Sequence, residues 1–350
     1  MTRKLKRFLI ILDNENLLYF PGSFLTGKVL LELDDETPAI GLYFHIIGEG
    51  VVRLNDRRRV AHSDKENYID FRMRLLGDGG TKSEAGSLIN GGAASSIGGR
   101  VLLLSPGIHT FPFKLGLPLG LPSTFLGKHG WVQYYCRAIL KEPNAFVHKN
   151  HQVFIVMNPI DLNLEPSLLL QPFHCEVQEK VGVRCINKGA VNCRVRLDRG
   201  GYVPGESIKI YAHVENGSKC TIKQTRAVLT ETIQYTVKNK IMKSEIKELA
   251  SIERGKIIGN AADQWRGELL YIPPIPPTNL RGCHLIRVQY DVYFIVKVKG
   301  NKSIRLQLPI MMANYPIRNK DGTLQRRKGT HYPTSLPIAR PWIDSNTLRK

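Results

Sequence analysis

The chain has 350 residues, with 50 Lys and Arg against 30 Asp and Glu and a formal net charge of +20. That length accommodates about two domains of ordinary size, and an apolar share of 42% with 23% charged residues fits a globular protein. No stretch approaches the roughly 20 apolar residues of a bilayer-crossing helix, and the excess of cations selects acidic partners: phosphorylated protein tails, anionic lipid or nucleic acid.

The N-terminal MTRKLKRFLIILDN imitates a signal peptide, but its apolar run, Phe8 to Leu12, is short and Asp13, Asn14 and Glu15 end it. It reads as a basic lead-in to a first strand, with Arg3, Lys4, Lys6 and Arg7 forming one cationic cluster. The segment Gly22-Ser23-Phe24-Leu25-Thr26-Gly27-Lys28 fits a phosphate-binding loop except that Val29 stands where Ser or Thr would hold magnesium. Val29, Leu31 and Leu33 also alternate as a strand where that loop would open a helix, so a turn feeding a strand is the expectation. Arg57-Arg58-Arg59 forms a second basic cluster, a docking site for phosphate or lipid set against a plain solvated face. Gly77 to Gly99, rich in Gly, Ser and Ala, reads as a flexible insertion between strands.

Further along, Ile160 to Pro172 shows no alternation and reads as a connector. Beyond it, Val191, Cys193, Val195 and Leu197 alternate with Asn192, Arg194, Arg196 and Asp198. Ile208, Ile210, Ala212 and Val214 alternate likewise with Lys209, Tyr211, His213 and Glu215, and Val288, Tyr290, Val292 and Phe294 form another face. This is the period of half-buried antiparallel strands. One segment conflicts: Ile246, Leu249, Ala250 and Glu253 fall at helical spacing, although strands with a turn at Gly255 fit the frame around them better. Residues 313–350 are Pro-rich, with eight Lys or Arg against two Asp, a composition that predicts a disordered tail.

A repeat organises these pieces. Tyr19-Phe20-Pro21-Gly22 and Tyr202-Val203-Pro204-Gly205 each precede a strand-like run. Leu117-Pro118-Leu119-Gly120-Leu121-Pro122-Ser123 answers to Ile272-Pro273-Pro274-Ile275-Pro276-Pro277-Thr278, and Val-Gln-Tyr follows each, at Val132 to Tyr134 and Val288 to Tyr290. The shared order predicts two copies of one domain, each a sandwich of short strands. The expected division is a first domain at 1–159, a linker at 160–172, a second domain at 173–312 and the tail at 313–350.

Catalytic signatures are missing. The sequence has no Gly-x-Ser-x-Gly elbow and no His-Glu-x-x-His, and His109 and His129 sit in turn-like phrases. The six cysteines include no Cys-x-x-Cys pair, and Cys175, Cys185 and Cys193 match no standard zinc spacing, so reduced core or surface thiols are expected, with no metal and no cofactor. No zinc finger, helix-turn-helix or RNA-binding aromatic signature accompanies the charge, which sets nucleic acid aside.

Taken together, Tyr19-x-Pro21-Gly22-x4-Gly27, Pro106-Gly-x-His109-x-Phe111-Pro112-Phe113 and Leu117-Pro118-x-x-Leu121-Pro122 resemble the arrestin fold, specifically the α-arrestins. Arg199-Gly-Gly-Tyr202-x-Pro204-Gly205-Glu206, Asn216-Gly-Ser218 and Ile272 to Pro277 carry the resemblance through the second half. It implies an all-β protein of two tandem immunoglobulin-like sandwiches without enzyme activity, an adaptor that recognises receptors or transporters and directs their endocytosis, sorting or ubiquitination. It implies a cytoplasmic protein recruited to plasma membrane and endosomes. Relatives recruit ubiquitin ligases through Pro-Pro-x-Tyr, of which these 350 residues contain none. The alternative within the fold is a receptor-desensitising arrestin of the visual or β type, which would bind phosphorylated receptor tails.

Overall fold

The computed structural model describes residues 5–55, 60–77, 101–143, 146–183, 186–300 and 302–318. Contacts divide the chain into two units, Met1–Asn158 with Arg281–Leu285, and Pro159–Leu280 with Ile286–Lys350. Arg3, Lys4, Arg57, Arg58, Arg59 and the glycine-rich insertion after Gly77 lie outside the described residues.

The first unit is built from β1 (Leu5–Leu12), β2 (Leu18–Tyr19), β3 (Phe24–Leu33), β4 (Thr37–Ala39), β5 (Gly41–Asn55), β6 (Ala61–Leu76), β7 (Leu102–Leu104), β8 (Gly107–Gly116), β9 (Phe125–Leu126), β10 (Gly130–Lys141) and β11 (Val147–Val156). One sheet runs β1-β3-β8, a second β2-β11-β10-β5-β6 with β9 on β10, and β4 pairs with β7. Period-two alternation puts Val29, Leu31 and Leu33 of β3 inside, at 2% exposure or less. Phe113 of β8 stacks on Phe44 of β5 with ring centroids 4.0 Å apart, which joins the two sheets face to face. The residues after Gly27-Lys28 are strand, so the phosphate-loop pattern is a turn feeding β3.

The second unit comprises β12 (Phe173–Val183), β13 (Ile186–Leu197), β14 (Gly201–Tyr202), β15 (Ser207–Asn216), β16 (Ile222–Val237), β17 (Lys240–Arg254), β18 (Ala261–Tyr271), β19 (Ile286–Val298) and β20 (Ile304–Met312). Its sheets run β12-β13-β15-β18 and β14-β20-β19-β16-β17. Trp265 of β18 meets Phe294 of β19 edge to face at 5.1 Å and donates its indole N–H to Thr225 Oγ1 at 3.3 Å. The helically spaced segment around Ile246 is strand β17, paired along its length with β16. Lys238 and Asn239 close that hairpin at φ 50° and 61°, the left-handed pair of a tight two-residue turn.

The repeat extends to individual hydrogen bonds. β2 lies parallel to the end of β11, and β14 parallel to the end of β20. The Gly22 and Gly205 N–H groups donate to Leu117 and Ile272 carbonyls, both at 3.0 Å. Both glycines have positive φ, +79° and +88°, the conformation glycine tolerates best. Tyr134 donates its hydroxyl to the Pro122 carbonyl at 2.6 Å, and Tyr290 to the Pro276 carbonyl at 2.7 Å. Thr124 and Thr278 each bond reciprocally with Val156 and Met312.

Packing in the second unit continues past Met312, where the tail was expected to begin. Ala313 is buried with Ile160, Leu162 and Val203. The Ile160 N–H donates to Asn314 Oδ1 at 2.8 Å, and Asp161 bridges to Tyr315. The connector and the start of the tail thus hold each other, a pairing without periodicity and therefore invisible to pattern reading. Within the connector, Ser167–Leu170 forms one turn of 3-10 helix.

Candidate binding surfaces

Of the predicted basic clusters, the structure describes Lys6 and Arg7, both on β1 at the edge of its sheet. The register sets Arg7 opposite Glu32. Lys6 Nζ lies 2.8 Å from one carboxylate oxygen of Glu32 and Arg7 Nε 3.3 Å from the other. Hydrogen bonding from Lys6 holds the Glu32 carboxyl below the usual carboxylate range. Both cations stay more than half exposed, at 52% and 65%, so Glu32 orients them while water still reaches them.

Polar side chains of the sheet that contains β5, β6 and β10 are engaged by their neighbours as well. His45 bonds Asp70 at 2.7 Å, and Lys65 pairs with Glu49 at 2.6 Å. Arg53 lies over the Trp131 ring at 5.2 Å, and Arg137 over Tyr135 at 5.7 Å.

The outer face of β12-β13-β15-β18 differs. Its cross-strand rows run Glu176, Arg194, His213, Gln264 and His174, Arg196, Tyr211, Arg266. Arg194 pairs with Glu176, both nitrogens at 3.1 Å. A groove of about 680 Å³ lies over these rows. The alternation of Arg194 and Arg196, and of Tyr211 and His213, was visible in the sequence, but their meeting with Arg266 across β15 was not. The pairing joins residues far apart in the chain, which no local pattern encodes.

The motif residues serve the fold. Tyr19 and Tyr202 are buried, and the turns at Pro21-Gly22 and Pro204-Gly205 lead into β3 and β15. A Cβ on Gly27 would lie 2.3 Å from the Ile11 carbonyl oxygen, so only glycine lets β1 lie this close to β3. Pro122 and Pro277 lie in the proline phrases that precede β10 and β19, and Pro122 supplies the carbonyl that Tyr134 holds. Beneath the Tyr202 turn, Arg199 and Glu206 form an ion pair at 2.6 Å, a functional-looking cluster with a structural role. His109, expected in a turn, lies on strand β8 opposite Leu31, and its ring bonds the Ser105 carbonyl at 2.8 Å. Burial pushes the Cys136 and Cys193 thiols up to about 12, which makes them core thiols. Among the described residues no group of three or more His, Cys, Asp or Glu is placed to hold a metal ion, and no helix is long and apolar enough to cross a membrane.

Family models of the arrestin (or S-antigen) N-terminal and C-terminal domains match residues 8–163 and 187–317. The chain is 30% identical to arrestin domain-containing protein 4 of Mus musculus over 321 residues, covering 88% of this chain and 71% of that protein. It is 25% identical to arrestin domain-containing protein 17 of Caenorhabditis elegans, over 98% of this chain and 80% of that one. Thioredoxin-interacting protein of Homo sapiens is 26% identical, over 99% and 82% of the two chains. With two arrestin-type sandwiches on the page, these matches define the class: the chain belongs to the α-arrestins, the arrestin domain-containing family.

Proposed function

We propose that this α-arrestin is a non-catalytic cytoplasmic adaptor that binds the cytoplasmic regions of membrane receptors or transporters and directs their endocytosis, sorting or ubiquitination. The observation that carries the reading is the presence of both arrestin-type sandwiches together with outward-facing cations on a net charge of +20. Such a field raises the encounter rate with acidic protein segments and with an anionic membrane surface. Lys6 and Arg7, with Arg3 and Lys4 before them and Arg57, Arg58 and Arg59 as a second cluster, serve in this reading as anion contacts. These 350 residues contain no Pro-Pro-x-Tyr, and the reading assigns no ligase contact to them.

Surface biotinylation tests the reading. Removing the protein from cells raises the steady-state surface level of a subset of receptors or transporters, and adding it back restores their uptake. An unchanged surface proteome in both arms contradicts the adaptor role.

A further inference from the structure

The four-stranded sheet of the second unit carries a bulge with a specific consequence. Along β15 and β18, Ile210 pairs with Glu268 but the next residue, Tyr211, pairs with Arg266, so Gly267 is the extra residue of a β-bulge. Gly267 sits at φ +103°, and a Cβ there would lie 3.2 Å from the Tyr211 ring and hydroxyl. An unbulged register would set Gly267 opposite Tyr211 and turn Arg266 to the other face. Instead Trp265 points into the core at 1% exposure and Arg266 faces out.

The bulge thus places an arginine on each side of Tyr211. Arg196 is its neighbour on β13, with the guanidinium over the Tyr211 ring at 4.4 Å, and Arg266 is its neighbour on β18. Among the described residues no acid pairs with Arg196 or Arg266, whereas Arg194 in the next row is held by Glu176. Arginine and tyrosine on rigid strands are the side chains that dominate protein recognition sites.

We propose that this face docks an extended, Asp/Glu-rich segment of a partner protein, with Arg196 and Arg266 as the carboxylate-reading groups and Tyr211 as the floor between them. The proposal deepens the adaptor reading and rests on it. The geometry favours a carboxylate-bearing chain over a single phosphate. The arginines stand about 10 Å apart at the backbone, two strand spacings, and the sheet amides around them are engaged in ladders, so no backbone nest converges on one anion. Alternate side chains of an extended segment project about 7 Å apart, which suits planar, bidentate contacts spread over a grid. The sheet face also offers a groove lined by charged and aromatic side chains, suited to a peptide more than to a lipid surface.

The test is fluorescence anisotropy of the full chain with a labelled peptide of alternating Glu and Ser, its Gln counterpart, a phosphoserine peptide, and vesicles containing phosphatidylserine or phosphoinositide. The Glu peptide binds, the Gln peptide does not, and Arg196→Gln with Arg266→Gln weakens binding at least tenfold while the thermal midpoint stays within about 2 °C. Gly267→Ala, which crowds the Tyr211 ring, weakens it by a smaller factor. Lys240→Gln, an exposed cation on β17 of the other sheet of this unit, leaves it unchanged. Equal binding by the double arginine variant overturns the proposal, as does binding of vesicles or the phosphopeptide alone. Should peptide binding fail while removal of the protein still alters surface receptors, the docking face is wrong and the adaptor reading stands.

Discussion

Glu206 holds Arg199 across 2.6 Å with the two side chains only 3% and 2% exposed, and the same carboxylate oxygen accepts the Val203 N–H at 3.0 Å. The Arg199 guanidinium also lies over the Tyr202 ring at 4.6 Å. One ion pair therefore fixes the turn that leads into β15. The first unit makes its matching turn without charge, through the Ser23 hydroxyl donating to the Phe20 carbonyl at 2.7 Å.

Breaking this pair leaves a buried charge unpaired. Glu206→Ala lowers stability by about 3–5 kcal/mol, whereas Arg199→Met with Glu206→Leu, which removes both charges, costs much less. Urea denaturation followed by tryptophan fluorescence in a Trp131→Phe, Trp342→Phe background, which leaves Trp265 as the reporter, reads this unit; equal costs for the single and double variants contradict the assignment.

Gly22 and Gly205 hold matching left-handed turns, so each replaced by alanine costs about 1–3 kcal/mol through backbone strain. Gly120, with negative-φ backbone and open space where a Cβ would go, accepts alanine within about 0.5 kcal/mol. Thermal midpoints of the three variants decide this, and a Gly120 effect as large as the others would remove the conformational argument.

Burial raises the Cys136 and Cys193 thiols to about 12, so near pH 7.5 they stay protonated and shielded. Cys175 and Cys283, which are partly exposed, react with iodoacetamide before Cys136 and Cys193 in the native protein. Mass spectrometry after timed alkylation maps the order. Labelling of Cys136 or Cys193 at the rate of Cys283 without denaturant contradicts the core placement.

For Glu32 the folded carboxyl is depressed by its bond to Lys6. The stability it contributes is present above the ordinary carboxylate range and disappears as pH falls through the lowered value. An NMR titration of the Glu32 side chain shows its midpoint below that of a free glutamate and moving back toward it in Lys6→Gln. An identical midpoint in both proteins contradicts the pairing.

Much of the fold could be read from the chain because it rests on short-range rules. Alternation identified β13, β15 and β19, and the paired Pro-Gly turns marked the repeat, since left-handed turns and sheet faces impose local residue choices. What escaped depends on distant partners. Asn314 fixes Ile160 through one amide, which gives a connector no visible pattern. The role of Arg266 depends on a one-residue bulge that reverses its side, and only the ladder with β15 reveals it. The Lys6 and Arg7 cluster was legible as charge, but their shared acid, Glu32, came from β1–β3 register.

The most direct measurement of the adaptor claim is proximity labelling in living cells with the full chain fused to a labelling enzyme, beside a fusion of the enzyme alone. The account predicts enrichment of receptors or transporters with labelled sites in their cytoplasmic segments. A labelled set without membrane proteins above the control would contradict it and leave a two-sandwich α-arrestin whose partners lie elsewhere.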